Sequence, residues 1–363
     1  MKIVISAWHL RDFNVGLGRY SRGLIEALGR ADHENRYEIL MPDGSCQFPA
    51  RANMAYRVIR FPLFKRRFWE QMAPLLAGPY DLLHLPYDSC IAWKRGKLVV
   101  TIHDVKPLLF GSLQKRRNPG GLIEDLLVGD RWKRIDHVLT DSDCSKRDIS
   151  EKLGVPGDRI TVIYPGVNLE RFRPLPPDRS GEAGRPFVLC VAGADPTKNV
   201  ETLIEAFIRF PRSLRDAYDL ILVGDFRRRP ALRELVVRTG IEKQAVFTGV
   251  VNDDRLIDLY QRATLFVFPS RYEGFGLPVL EAMACGCPVV SSNAASLPEV
   301  TGEAAILVDP SDVEGFARHM QRVLEDQPLR RSLRERGLRQ AAQFTWDRTA
   351  RETVAVYRKV VQG

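Results

Sequence analysis

The segment Pro269-Ser270-Arg271-Tyr272-Glu273-Gly274-Phe275-Gly276-Leu277-Pro278-Val279-Leu280-Glu281-Ala282-Met283-Ala284-Cys285-Gly286-Cys287-Pro288 places two glutamates around a glycine-bearing loop. An apolar run ends at Pro269, and Pro278 suits the first turn of a helix. The amides of that turn have no partners inside the helix and point back into the loop, which makes a site for a phosphate or diphosphate. Glu273 precedes the helix and Glu281 lies within it, so one carboxylate stands beside the anion while the other reaches over the first turn. Two carboxylates beside an anion site suit a ligand with many hydroxyls. The same spacing also suits a buried loop with one capping and one surface glutamate.

The elements that must position these groups alternate along the whole chain. Short apolar runs at 2–6, 37–41, 82–85 and 98–103 read as strands, with a helix over 19–28 between the first two. The pattern resumes with strands at 187–192, 220–223, 246–247, 265–269 and 288–291, and with helices at 200–210, 231–238, 255–263 and 278–284. Such alternation predicts an α/β chain of two Rossmann-like doubly wound domains with parallel sheets. Between them, residues 174–186 hold proline and glycine without an apolar period and read as a linker. The expected domains are therefore 1–173 and 187–345, with a terminal helix over 346–363. Ligands of open parallel sheets bind beyond the carboxyl ends of strands, which singles out His84, His103 and Asp104. Gly16-Leu17-Gly18 follows the first strand and is by itself a weak phosphate-loop signal.

The chain has 363 residues, 45% apolar and 27% charged, which excludes a disordered or collagen-like polymer. No run reaches the roughly 18 apolar residues of a membrane span, and the chain is expected to be cytoplasmic. Six scattered cysteines without a Cys-x-x-Cys pair read as reduced, mostly buried thiols. Residues 1–173 carry 28 Lys+Arg against 20 Asp+Glu, while the remainder is nearly balanced at 26 against 25. Nucleic acid, an anionic membrane surface or a phosphorylated substrate would each suit that surplus. Basic and aromatic residues interleave from Arg57 to Trp69, as on a membrane-surface segment, a single-strand stacking platform or a helix edge with a charged flank.

The Glu-x7-Glu segment resembles retaining glycosyltransferases of family 4. Other pieces stand in that family's order: Gly16-Leu17-Gly18-Arg19-Tyr20, Ile102-His103-Asp104, Thr140-Asp141-Ser142, Tyr164-Pro165-Gly166-Val167-Asn168, Asp195-Pro196-Thr197-Lys198-Asn199 and Ser296-Leu297-Pro298-Glu299-Val300. The resemblance covers nearly the whole chain. It implies the GT-B fold, two Rossmann-like domains facing across a cleft, 1–173 on the acceptor side and 187–345 binding the nucleotide sugar, with the terminal helix packed back on the first domain. It further implies that Glu281 binds the ribose hydroxyls of a nucleotide and Glu273 contacts the transferred sugar. The amides of Phe275, Gly276 and Leu277 would surround donor sugar and phosphate, and Lys198 would neutralise the diphosphate. Gly16 and Gly18 would let backbone approach the diphosphate, and His103 would face the donor sugar.

Under this resemblance the chain is a hexosyltransferase, with GDP-mannose the favoured donor and a UDP-sugar the alternative. The acceptor would be a hydroxyl of a saccharide or lipid-linked saccharide, on a peripheral enzyme at the inner face of the plasma membrane. No metal cofactor is expected, because Lys198 and the helix amides can do a cation's work. Asp141-Ser142-Asp143 has the outline of a metal-binding Asp-x-Asp but falls on the family's strand end, where Ser and Asp cap a helix. The chain lacks an arginine usual near the lysine, and Arg227, Arg228 and Arg229 are candidates for the missing cation. Two other classes fit less well: a non-catalytic sugar-nucleotide-binding scaffold, and a nucleic-acid-binding protein. The intact Glu273, Glu281, Lys198 and His103 argue against both, and no nucleic-acid partner is expected.

Overall fold

Strands rich in Val, Ile and Leu alternate with amphipathic helices, and in the computed structural model each strand pairs in parallel with its neighbours. The structure describes residues 1–11, 16–61, 66–89, 91, 93–110, 131–176 and 184–363. The chain forms two units, one of Met1–Gly166 with Phe344–Gly363 and one of Val167–Gln343.

In the first unit the described strands are β1 (Lys2–Ser6), β2 (Arg36–Met41), β3 (Met54–Val58), β4 (Leu82–Leu85), β5 (Lys97–Thr101), β6 (His137–Thr140) and β7 (Ile160–Val162). They lie in the order β3-β2-β1-β4-β5-β6-β7. Ile3 stands opposite Tyr37 on one side and Leu82 on the other. Side chains alternate across a strand, so Ile3 and Ile5 enter one core with the helices Gly16–Ala31 and Trp346–Gln362. Val4 enters the opposite core, with Trp69 and Ala73 from helix Arg66–Leu76 and Ile149 and Leu153 from helix Asp143–Leu153. Helix Trp346–Gln362 buries Ala350, Val354, Val356 and Tyr357, and each such apolar side chain of Val size stabilises by roughly 1.5–3 kcal/mol. Gly166 lets this helix approach, since a Cβ there would lie 2.1 Å from the Trp346 backbone nitrogen.

The second unit repeats the plan with β8 (Phe187–Val191), β9 (Asp219–Val223), β10 (Ala245–Gly249), β11 (Leu265–Phe268), β12 (Val289–Ser292) and β13 (Ile306–Val308). Their order is β10-β9-β8-β11-β12-β13. In each unit the strand order reverses beside its first strand, between β1 and β4 and between β8 and β11. Such reversals open a crevice at the carboxyl ends of the strands.

The division falls at 166/167 and 343/344, where the sequence reading has 173/174 and 345/346. Side-chain pairing explains both shifts. Arg171 donates to Asp253 and Asp254, and Phe172 packs on Tyr260, which ties 167–173 to the second unit. Phe344 meets the edge of Tyr164 in the first unit. Of the expected linker, residues 177–183 lie outside the described residues. The pattern also misses β3, an edge strand largely open to solvent, the three-residue strands β7 and β13, and β6, which only the resemblance marks through its strand end at Thr140.

Candidate active site

In the second unit the loops after β8 and β11 meet at the crevice. Asp195 accepts from the amide of Thr197 at 3.0 Å and starts a short 3-10 turn, Pro196–Lys198. Asn199 closes that turn at φ 55° and its amide group donates to the carbonyls of Pro269 (3.0 Å) and Pro310 (2.8 Å). The amide of Arg271 donates to the Thr197 carbonyl at 2.7 Å. These bonds hold Lys198 against Glu273, with Nζ 2.7 and 2.9 Å from the two carboxylate oxygens. Ser270 Oγ also donates to Glu273, at 2.6 Å. An ammonium has three protons, so the pair leaves Lys198 able to meet a further oxygen.

Helix Leu277–Ala284 starts beside this pair. Gly276 precedes it at φ 112°, a conformation that side chains rarely adopt, and a Cβ there would sit 2.7 Å from Leu297. The hydroxyl of Ser296 reaches the carbonyls of Glu273 (2.9 Å) and Phe275 (2.8 Å), fixing the loop from behind. Glu281 is buried on this helix, and the Tyr260 hydroxyl donates to it at 3.1 Å. The structure thus gathers Lys198, Glu273, Phe275, Gly276, Leu277 and Glu281 around one loop and one helix start. At the carboxyl ends of β9 and β10, a cavity of about 230 Å³ is lined by residues that include Gly224, Phe226, Arg233, Phe247, Gly249 and Val250.

The three arginines expected as candidate cations are arranged otherwise. Arg227 is exposed and turned onto Asp225 at 2.8 Å, and Arg229 pairs with Glu201. Two of the three are therefore committed to carboxylates of their own surroundings.

In the first unit His103 lies just beyond β5, with 14% of its side chain exposed. Nδ1 donates to Asp141 at 2.5 Å and Nε2 to the carbonyl of Pro86 at 3.2 Å. A carboxylate and a carbonyl only accept, so both ring nitrogens carry protons. Burial works against the imidazolium, yet the Asp141 charge and hydrogen bond outweigh it and raise the His103 pKa to about 9. His103 is therefore a fixed cation at neutral pH, packed under the edge of Tyr20 at 4.6 Å.

This pairing corrects the assignment of Asp141 as part of a helix cap. Ser142 is the cap, accepting from the Ser145 amide at 3.0 Å, while Asp141 serves His103. Asp143 lies in the helix's first turn and accepts from Tyr164 at 3.4 Å, so the two aspartates serve different partners. The glycine motif differs as well: Gly16 and Gly18 are the opening turn of helix Gly16–Ala31 rather than a loop before it. Gly16 is exposed, and among the described residues nothing beyond its own chain neighbours and helix backbone lies within 4 Å of where its Cβ would be. His84 is a core group, fully buried between Tyr357 (2.6 Å) and Thr101 (2.8 Å), and burial lowers its pKa to about 3.

The basic-aromatic stretch is divided. Trp69 is buried and donates to the Ile59 carbonyl at 2.7 Å, while Phe68 stays partly exposed against Phe61. Residues 62–65 and the basic segment 114–121 lie outside the described residues. The five described cysteines, Cys46, Cys144, Cys190, Cys285 and Cys287, are buried.

With this geometry in view, the chain matches the family described as Glycosyltransferase Family 4 over residues 15–171 and Glycosyl transferases group 1 over 176–340. O-antigen chain mannosyltransferase B of Escherichia coli is 31% identical, over 99% of this chain and 100% of that protein. Serotype-specific mannosyltransferase WbdA of Escherichia coli is 32% identical over 77% of this chain. The chain spans 35% of that relative's length. Among solved structures, sucrose-phosphate synthase from Thermosynechococcus elongatus superposes with a TM-score of 0.80 at 24% identity, covering 99% of both chains. WaaG, a glycosyltransferase involved in lipopolysaccharide biosynthesis, gives 0.72 at 16% identity, covering 98% of this chain and 99% of that one. The two parallel sheets have the GT-B architecture, and the chain belongs to the family 4 glycosyltransferases.

Proposed function

We propose that the chain transfers a hexose, with mannose favoured, from a nucleotide diphosphate sugar to a hydroxyl of a saccharide or lipid-linked saccharide. The observation that carries this reading is the Lys198–Glu273 pair beside the first turn of helix Leu277–Ala284. Phosphate oxygens meet the free ends of that turn and the remaining protons of Lys198. Glu273 orients the sugar through its hydroxyls, and Glu281, fixed by Tyr260, takes the ribose. The mannosyltransferase relatives support mannose, and GDP-mannose is the first donor to assay, with UDP-sugars next.

The reaction proceeds with retention at the anomeric carbon. The sugar–oxygen bond to the diphosphate breaks, and the departing phosphate oxygen takes the proton of the acceptor hydroxyl on the face it leaves. The new glycosidic bond then forms there. The His103 imidazolium adds positive charge that stabilises the departing anion. No metal is needed, because lysine and helix amides carry the opposing charge. The enzyme works in the cytoplasm, and exposed basic and apolar side chains such as Arg57, Val58 and Phe68 bring it to an anionic membrane surface.

A thermal-shift screen with GDP, UDP, ADP, TDP and their sugar conjugates, with and without magnesium, tests the reading. The expected result is a metal-independent rise in melting temperature with one base, followed by transfer whose product shows the donor's anomeric configuration by NMR. Folded protein that responds to no nucleotide overturns it.

A further inference from the structure

The core behind His103 is polar where its surroundings are apolar. His84 on β4 and Thr101 on β5 share the sheet face of Leu82 and Val99, two residues earlier on the same strands, and helices Gly16–Ala31 and Trp346–Gln362 cover that face. Tyr357 Oη lies 2.6 Å from His84 Nδ1, and His84 Nε2 lies 2.8 Å from Thr101 Oγ1. Thr101 Oγ1 in turn lies 3.4 Å from Tyr20 Oη, the longest link of the chain. The Tyr20 ring stands nearly perpendicular to His103, at 83° and 4.6 Å between centroids. Trp346, from the first turn of the terminal helix, meets the Tyr20 ring at 5.9 Å. Trp346 and Tyr357 lie about three turns apart along one face of that helix. The terminal helix therefore reaches Tyr20 twice, once directly and once through His84 and Thr101.

Hydrogen counting gives the chain a direction. His84, Thr101 and Tyr357 are fully buried, and burial keeps His84 neutral, so its ring has one N–H and one lone pair. Among the described residues the Tyr357 hydroxyl has one partner, His84 Nδ1. If Nδ1 carried the ring proton, the phenol hydrogen would be stranded in the core at a cost of about 1–3 kcal/mol. Nδ1 therefore accepts from Tyr357, and Nε2 donates to Thr101. An apolar set of the same shapes would be nearly neutral for stability, because both partners of each bond would be gone. A satisfied buried chain adds instead a fixed orientation for its members. Its member beside the site is Tyr20, whose ring limits how far the His103 imidazole can turn.

We propose that Tyr357, His84 and Thr101 are positioning residues: with His84 as the Nε2–H tautomer, they and Trp346 hold the Tyr20 ring that keeps the His103 imidazole seated against Asp141. The kinetic consequence rests on the glycosyltransferase reading. The inference goes beyond that reading by giving the terminal helix a part in placing the cation of the first unit.

Nitrogen NMR of 15N-histidine-labelled protein at neutral pH, together with steady-state kinetics, tests it. Wild-type His84 should show a protonated Nε2 and an unprotonated Nδ1. Tyr357→Phe keeps the ring and removes the donor, so His84 should become a mixture of tautomers and the His103 signals should move. Its kcat should fall about fivefold with donor KM unchanged, the size of one ordinary hydrogen bond. Thr101→Val keeps the shape without the hydroxyl and should lower kcat at least as much, while Thr101→Ser should stay within about twofold of wild type. If Tyr357→Phe does not fold, the Thr101→Val and Thr101→Ser pair decides. An Nδ1–H His84 in the wild type overturns the proposal. So does a Thr101→Ser protein as slow as Thr101→Val, or Tyr357→Phe and Thr101→Val proteins that melt lower yet keep kcat and the His103 signals. Wild-type protein with the expected tautomer that transfers no sugar would instead strike the glycosyltransferase reading itself.

Discussion

The two units place a crevice at the same point of the same sheet plan and finish it in different ways. In the second unit a Lys198–Glu273 ion pair bridges the ends of β8 and β11, and Ser270, Asn199 and Ser296 hold its surroundings. In the first unit the corresponding bridge, His9 against Tyr87, leaves buried polar atoms without partners. A preorganised anion site needs fixed groups before its ligand arrives, since oriented dipoles act without reorganising. A crevice with unmatched buried groups gains its missing bonds only when occupied. The contrast fits the donor role proposed for the second unit, whose groups are held in place beforehand, and leaves the first unit's crevice with bonds still to make.

The strongest way to break this contrast is to remove the pair that finishes the second crevice. Lys198→Ala and Glu273→Ala should each lower turnover by about tenfold or more while circular dichroism shows the fold retained. Normal rates in both would remove the donor site from this loop.

The next effect concerns the cation of the first unit. The His103 pKa is raised to about 9, above the 6.5 of an unperturbed imidazole, so its stabilisation is present below pH 6.5 and is lost as pH rises through about 9. Activity should fall over the same alkaline limb. Asp141→Asn removes the charge that holds the proton, and should move that limb downward by about one pH unit or more. A pH–rate profile with NMR titration of the imidazole checks both, and an unmoved limb would show that Asp141 does not set the His103 charge.

A smaller effect is expected at Gly276. Alanine there must take φ 112° and press on Leu297, a strain of about 1–3 kcal/mol. The melting temperature should drop by about 2–4 °C per kcal/mol. An unchanged melting temperature would mean that the loop adjusts freely and is not preorganised. The smallest effect belongs to Tyr260→Phe, which should raise the donor KM about fivefold with kcat kept, consistent with about 1 kcal/mol for one hydrogen bond. Steady-state kinetics in donor concentration would show it, and an unaltered KM would separate Tyr260 from the orientation of Glu281.

Much of the second site is legible along the chain because its parts are local: Glu273, Gly276, Pro278 and Glu281 share one loop and helix. The direct contact of Lys198 with Glu273 is not, since 75 residues separate them and only the adjacency of β8 and β11 brings them together. The first unit's crevice is harder for the same reason. His9, Tyr87 and Asp141 come from three separate segments, and each alone reads as an ordinary polar residue. Position offered one signal, because His9 and Tyr87 each fall two or three residues beyond an apolar strand, as His103 does. Asp141 was obscured by its neighbour: Ser142 caps the helix, and an aspartate beside a cap looks like part of it.

The return of residues 344–363 to the first unit orders the birth of the protein. Unit one is missing helix Trp346–Gln362, and with it Ala350, Val354, Val356, Tyr357 and Val360 of one core, until the whole of 167–343 has left the ribosome. At typical synthesis rates of ~5–20 residues per second, that interval is on the order of ten seconds or more. Unit two is continuous in sequence and can complete its core during that wait. The nascent first unit meanwhile exposes the apolar surface around Leu24, Leu28 and Ile39, a target for chaperones that the finished protein no longer presents.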